Sequence, residues 1–149
     1  EISLGLVGSE MCIRDSKVDS DIENQGRLCS EPYLNEEAKW LKGVVESDEW
    51  KNAERRIVFN HIPPQIKDAW HGNLNMSEKF LPILNGARVD LMLSGHVHKY
   101  SFREVGSTDA SFPVITNGQW QRMEITVNAK KIAVRIYDTD GNLTHTADL

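Results

Sequence analysis

Two motifs, Asn60-His61-Ile62-Pro63-Pro64 and Gly95-His96-Val97-His98, hold three of the five histidines in this chain of 149 residues. Imidazole is the commonest metal ligand and titrates near neutral pH, so these residue types point to metal-assisted hydrolysis. Each motif follows a short apolar run, Ile57-Val58-Phe59 in the first case and Leu91-Met92-Leu93 in the second. In an extended segment, residues two apart point the same way. His96 and His98 are therefore expected to face together, with Val97 on the other side. Gly95 is expected to permit a sharp backbone turn at the strand end. The two prolines after His61 stiffen the exit from its strand and hold that ring in one place. The competing readings are a pair of surface histidines for the second motif and a hydrogen-bonded strand-end histidine for the first.

His71, in Trp70-His71-Gly72, lies in the loop after the first apolar run. Its chemical reading is a substrate contact or a proton donor to the leaving group. Its plain reading is an exposed loop residue. Trp40, Trp50 and Trp120 are expected to pack rather than react. Asp138, Asp140 and Asn142 alternate like the start of a calcium loop, but the terminal Glu spacing is missing, so an ordinary Asp-Gly turn is expected. His145 is not assigned a role. There is no Gly-rich phosphate loop and no nucleophilic Ser elbow.

The elements that must position these groups follow from periodicity. Leu34, Ala38, Leu41 and Val45 fall at helical spacing and predict a helix over 35–47, capped by Asn35. Arg56–Asn60 reads as a short buried strand. A second helix is expected over Ser77–Leu84, weakened by Pro82 and stopped at Asn85-Gly86. Val89–Leu93 is the next strand. Residues 56–93 therefore form a βαβ unit with parallel strands and a right-handed crossover. Ligands in such sheets bind beyond the carboxyl ends of the strands, which is where His61, His96 and His98 fall. After Tyr100 the pattern becomes alternating. Phe112–Thr116, the segments around Met123–Val127 and Ile132–Tyr137, and a last short strand predict half-buried antiparallel sheet, with Asn128-Ala129-Lys130 as a hairpin turn.

Bulk properties narrow the function classes. The net charge is −5 and the pI about 5.5, with no basic stripe, which disfavours a nucleic-acid or anionic-membrane surface. No run of about 18 apolar residues occurs, so no membrane-spanning helix is expected. Cys12 and Cys29 do not make a disulfide framework. The length suits one domain with a sizeable core.

With these residues in place, the chain resembles the calcineurin-like metallophosphoesterases, and within them the purple-acid-phosphatase-like bacterial proteins. The resemblance covers residues 34–138 and rests on the strand followed by His61-Ile62-Pro63-Pro64, then a helix, then Val89-Asp90-Leu91-Met92-Leu93-Ser94-Gly95-His96-Val97-His98. It implies an α/β fold, the C-terminal half of a four-layer α/β/β/α sandwich. It also implies two divalent or trivalent transition metal ions (Fe, Zn, Mn or Co) and a phosphoester substrate. By that likeness His61 and His96 hold one ion and His98 the other, and His71 contacts substrate. Related bacterial proteins are often exported, to the periplasm or the exterior, while the sequence itself leaves the location open.

The family's first half supplies Asp-x-His, Gly-Asp-x-x-Asp and Gly-Asn-His-Asp/Glu, and none of these occurs here. Residues 3–16 resemble the translated product of a sequencing adapter. Residues 1–16 are accordingly expected to be non-native, with residues 17–149 the C-terminal part of one catalytic domain. Such a chain is expected to bind at most one transition ion weakly and to hydrolyse little. The readings from other classes are a single-metal histidine site without turnover and a β-rich interaction module.

Overall fold

A computed structural model describes residues 31–64 and 75–149. The adapter-like segment, residues 17–30 and His71 lie outside the described residues.

Helix α1 (Glu31–Glu46) carries the expected stripe. Leu34 and Leu41 are buried, and Ala38, Val44 and Val45 pack beside them. It starts before the expected Asn35. A short helix α2 (Asp48–Asn52) follows at once, which the periodicity does not predict. Its cues are local: the Ser47 hydroxyl accepts the Trp50 N–H at 3.1 Å, and Asp48 and Glu49 occupy the first turn. Trp50 is buried and its indole N–H donates to the Ala87 carbonyl at 2.8 Å, which ties α2 to the layer beneath. The buried Arg56 closes the other end of α2 by donating to the Trp50 and Lys51 carbonyls, both at 2.8 Å. Burial, with Arg88 beside it, holds that guanidinium below its ordinary pKa.

The second helical segment divides. Met76–Phe80 is a π-helical turn and Leu81–Asn85 is the α-helix α3. Pro82 explains the break. It has no N–H to give to the carbonyl four residues back, and the Leu81 N–H reaches five residues back, to Met76.

Seven strands follow the chain: β1 (Ile57–Phe59), β2 (Leu91–Ser94), β3 (Ser101–Arg103), β4 (Val114–Thr116), β5 (Arg122–Val127), β6 (Ile132–Tyr137) and β7 (Leu143–Asp148). They form a mixed sheet of order β1-β2-β4-β3 and an antiparallel sheet of order β5-β6-β7. In the first, β1 and β2 are parallel, with Ile57 beside Leu91 and Phe59 beside Leu93. β4 also runs parallel to β2, which corrects the expectation of purely antiparallel sheet after Tyr100. Its three residues are buried throughout, as suits a strand covered on both faces. Only β3 is antiparallel, pairing Ser101 with Thr116.

The layers follow from alternation. Val58, Met92 and Val114 turn one face of the mixed sheet toward the helices. Ile57, Leu91, Leu93 and Ile115 turn the other toward Ile132, Val134, Ile136 and Ala147 of the antiparallel sheet. The described residues thus build a mixed α/β fold of three layers: helices, mixed sheet, antiparallel sheet. Among them no helix is long and apolar enough to cross a membrane.

The turns of the second sheet are closed by side chains. Asn128 Oδ1 accepts the Lys130 and Lys131 N–H groups. Asp138 Oδ1 accepts the Asp140 and Asn142 N–H groups, and its Oδ2 accepts the Asn142 side-chain amide, while Gly141 supplies a φ of +84°. The Asn142 side-chain amide, aided by these backbone donors, holds the Asp138 carboxyl below its ordinary pKa. A carboxyl lowered by folding stabilises above its unfolded pKa of about 3.9 and loses that contribution as pH falls through the native value. Urea titrations between about pH 5 and pH 2 should therefore show a shallower acid limb for Asp138→Asn than for wild type. Equal slopes would mean that this turn is not linked to protonation.

Candidate functional site

The parallel ladder continues past the strands it joins. The Asn60 N–H donates to the Leu93 carbonyl at 2.9 Å and the Gly95 N–H donates to the His61 carbonyl at 3.0 Å. This fixes His61 and His96 at neighbouring carboxyl ends. Their rings meet: His96 Nδ1 lies 3.0 Å from His61 Nε2. The ring planes are nearly perpendicular at 88°, with centroids 4.9 Å apart. A hydrogen bond between two ring nitrogens needs a proton on one and a lone pair on the other.

The backbone that aims them differs from expectation. Gly95-His96-Val97-His98 is not extended. His96 has φ +63° and His98 φ +56°. The Val97 N–H donates to the Gly95 carbonyl at 2.7 Å, a three-residue turn centred on His96. The sharp turn is therefore carried by the histidines themselves. A Cβ on Gly95 would make only ordinary contact, 3.8 Å from His61 Nδ1. The alternation argument for His96 and His98 does not apply to such a turn.

His98 is exposed. Among the described residues, no group of three or more His, Cys, Asp or Glu side chains is placed to hold a metal ion. The structure thus brings together His61 and His96, and His98 does not complete a three-ligand set with them.

Strained backbone gathers here. The described non-glycine residues with positive φ are Arg88, His96, His98 and Trp120. The last three lie at this rim, and such conformations collect at functional sites because they need surrounding structure to hold them. Trp120 belongs to the loop after β4, and the loop is stapled to the rim. The Asn117 N–H donates to the Ser94 carbonyl at 2.8 Å and the Gln119 N–H to the His98 carbonyl at 3.1 Å. The Asn117 side-chain amide donates to the Gln121 carbonyl, and the Gly118 N–H to Gln121 Oε1. A Cβ on Gly118 would displace the end of the Gln121 side chain, which accepts the Gly118 N–H, and crowd the Tyr100 N–H. Trp120 itself is 77% exposed, which corrects the expectation that it packs. Trp50 does pack, while Trp40 is 40% exposed.

A row of polar side chains was not foreseen. Asn60, Ser94 and Thr116 are buried and each directly follows the apolar run of its strand. That recurrence, one polar residue after each apolar run, is the signal that could have found it. The Ser94 and Thr116 hydroxyls pair at 2.9 Å. The Asn60 amide donates to the Ile62 carbonyl at 2.6 Å. Asn60 Oδ1, Asn117 Oδ1 and Ser101 Oγ are buried and have no hydrogen-bond partner among the described residues. All three lie at the same end of the mixed sheet as the histidines.

Two further groups flank that end. Tyr100 stacks on His145 of β7 with centroids 3.7 Å apart, which gives a place to a histidine the sequence left unassigned. Burial pushes the Tyr100 hydroxyl above its ordinary pKa. Arg103 donates to the Pro64 carbonyl at 2.8 Å, and burial holds its guanidinium below the ordinary value. No protein-family model matches the chain, and no curated protein matches it.

Proposed function

We propose that the chain is the C-terminal part of the catalytic domain of a metal-dependent phosphoester hydrolase of the calcineurin-like kind. The observation that carries this is the meeting of His61 and His96, residues 35 apart in sequence, with their nitrogens 3.0 Å apart at the carboxyl ends of adjacent parallel strands. Two ligands each about 2 Å from one ion are separated by about 3 Å, so the pair fits the flank of a single site. The polar atoms along the same edge that lack partners among the described residues, at Asn60, Ser101 and Asn117, fit a rim that upstream groups complete, because an orphaned buried polar atom costs about 1–3 kcal/mol.

In this reading His61 and His96 hold one ion and His98 contributes to the second, while His71 contacts the substrate. Carboxylates from upstream residues complete the set, and further helices cover the antiparallel sheet to give the four-layer sandwich. Such a metal pair would supply Lewis acidity toward an attacking water and charge stabilisation at the phosphoryl oxygens. The contribution of this chain is geometric. The Gly95–Val97 turn and the ladder bond to the His61 carbonyl hold two imidazoles in register, so little reorganisation is needed on binding.

A single-ion site without turnover is the second reading, since the described histidine pair that meets, His61 and His96, flanks one position. One experiment separates the two. The chain joined to its genuine upstream coding sequence is assayed with an aryl phosphate and added Mn or Zn. Metal-dependent hydrolysis is the expected result; tight metal binding with no turnover supports the second reading.

A further inference from the structure

We propose that Trp120 is the aromatic wall of this site, on which the flat leaving group of an aryl or nucleoside phosphoester stacks. The inference rests on the hydrolase reading for the word "leaving group", but its geometry stands on its own. A bulky aromatic residue at φ +60° is a conformational outlier. It persists only where its surroundings over-determine it. Here they do so through four bonds: Asn117 to Ser94, Asn117 to Gln121, Gly118 to Gln121, and Gln119 to His98.

None of those bonds serves to bury the indole, which remains 77% exposed. Among the described residues the indole packs on no core, so burial does not explain the bracing of this loop. The indole makes sense as a stacking surface carried on a preformed loop, because a loop already ordered loses little entropy when a planar group settles on its side chain. The position is suited to the chemistry. The residue before Trp120 is hydrogen-bonded to the backbone of His98, so the Trp120 backbone stands beside the histidine turn. Trp120 also lines a hollow of about 430 Å³ with Gln121, Arg122, Asp138, Thr139 and Gly141. That hollow offers room for a ring and the polar groups on it. A small alkyl phosphoester would touch the histidine turn and leave this wall empty.

The test is binding, so that it does not depend on turnover. The chain is titrated with adenosine 5′-monophosphate and, separately, with glycerol 2-phosphate, each followed by ligand-observed NMR and indole fluorescence. Stacking on an aromatic side chain predicts that Trp120→Ala weakens the nucleotide by about tenfold or more and leaves glycerol phosphate within about twofold. Trp120→Phe should restore most of the nucleotide affinity. Trp120→Gly should melt no lower than wild type, since glycine accepts positive φ without strain, and yet lose the nucleotide preference. Equal nucleotide binding by wild type and Trp120→Ala overturns the proposal, as does a wild-type chain that binds neither probe. A stacking result with no metal-dependent hydrolysis would remove the hydrolase reading and leave the aromatic wall standing.

Discussion

Truncating His96 to alanine should weaken zinc or manganese binding by about a hundredfold or more. In the protein joined to its upstream residues, aryl phosphate hydrolysis should fall by about 10³-fold. The first figure follows from the role of a direct ligand, because even outer partners of ligating histidines cost about 10–100-fold when removed. The second corresponds to about 4 kcal/mol at 1.36 kcal/mol per tenfold. His61→Ala should produce the same two losses, since its Nε2 sits 3.0 Å from His96 Nδ1 and both rings flank one position. The decisive comparison is the double variant. Groups that act as a unit are strongly non-additive, so removing both should cost little more than removing one. Single losses that multiply would mean that the rings serve separate purposes. Metal affinity and turnover that survive either change would remove the metal reading altogether.

A loss of stability of about 3 kcal/mol or more is expected for Leu91→Ala. Leu91 is fully buried on β2, which has β1 on one side and β4 on the other. Its side chain lies between the two sheets with Ile115, Ile132, Val134 and Ile136. Leu-to-Ala changes in such places cost about 2–5 kcal/mol, the transfer loss plus the cavity that rigid neighbours cannot close. Against a total of about 5–15 kcal/mol for a typical domain, this is a large fraction. Urea denaturation should show a lower midpoint with an unchanged slope. Leu143→Ala is the control. That side chain is 52% exposed, and its loss should stay within about 0.5 kcal/mol. A Leu91 variant as stable as the control would mean that the sheets do not pack as described.

What the sequence made legible were the features set by periodicity. The stripe of α1, the buried runs of β1 and β2, and the alternation of β5 and β6 each reflect one side of an element meeting a core. The shared rim of His61 and His96 came from the same logic, since parallel neighbours must put their following residues together. Other features depended on contacts that a linear pattern does not carry. The parallel placement of β4 is decided by β2 claiming its edge, not by Val114-Ile115-Thr116 themselves. The positive φ of His96 and His98 arises where the ladder ends and the chain must turn at once, and Gly95 had drawn attention to the wrong residue. Trp120 was read as packing because most tryptophans pack; its exposure comes from a loop braced by Gly118 and Gln121. Helix α2 was missed because five residues give no period, although Ser47 and its acidic neighbours mark the start.

The order of the strands also bears on how this molecule assembles. β5, β6 and β7 are joined to their neighbours by tight turns, so each new pairing closes only a short loop. The parallel sheet is of another kind: Ile57 must find Leu91, and Met92 must find Val114, across intervening helix and loop. Distant pairings cost more chain entropy before they are rewarded, and they form late. The C-terminal meander is therefore expected to form first, with the two imidazoles becoming neighbours only after the parallel strands pair, an order that amide-exchange labelling during refolding would check.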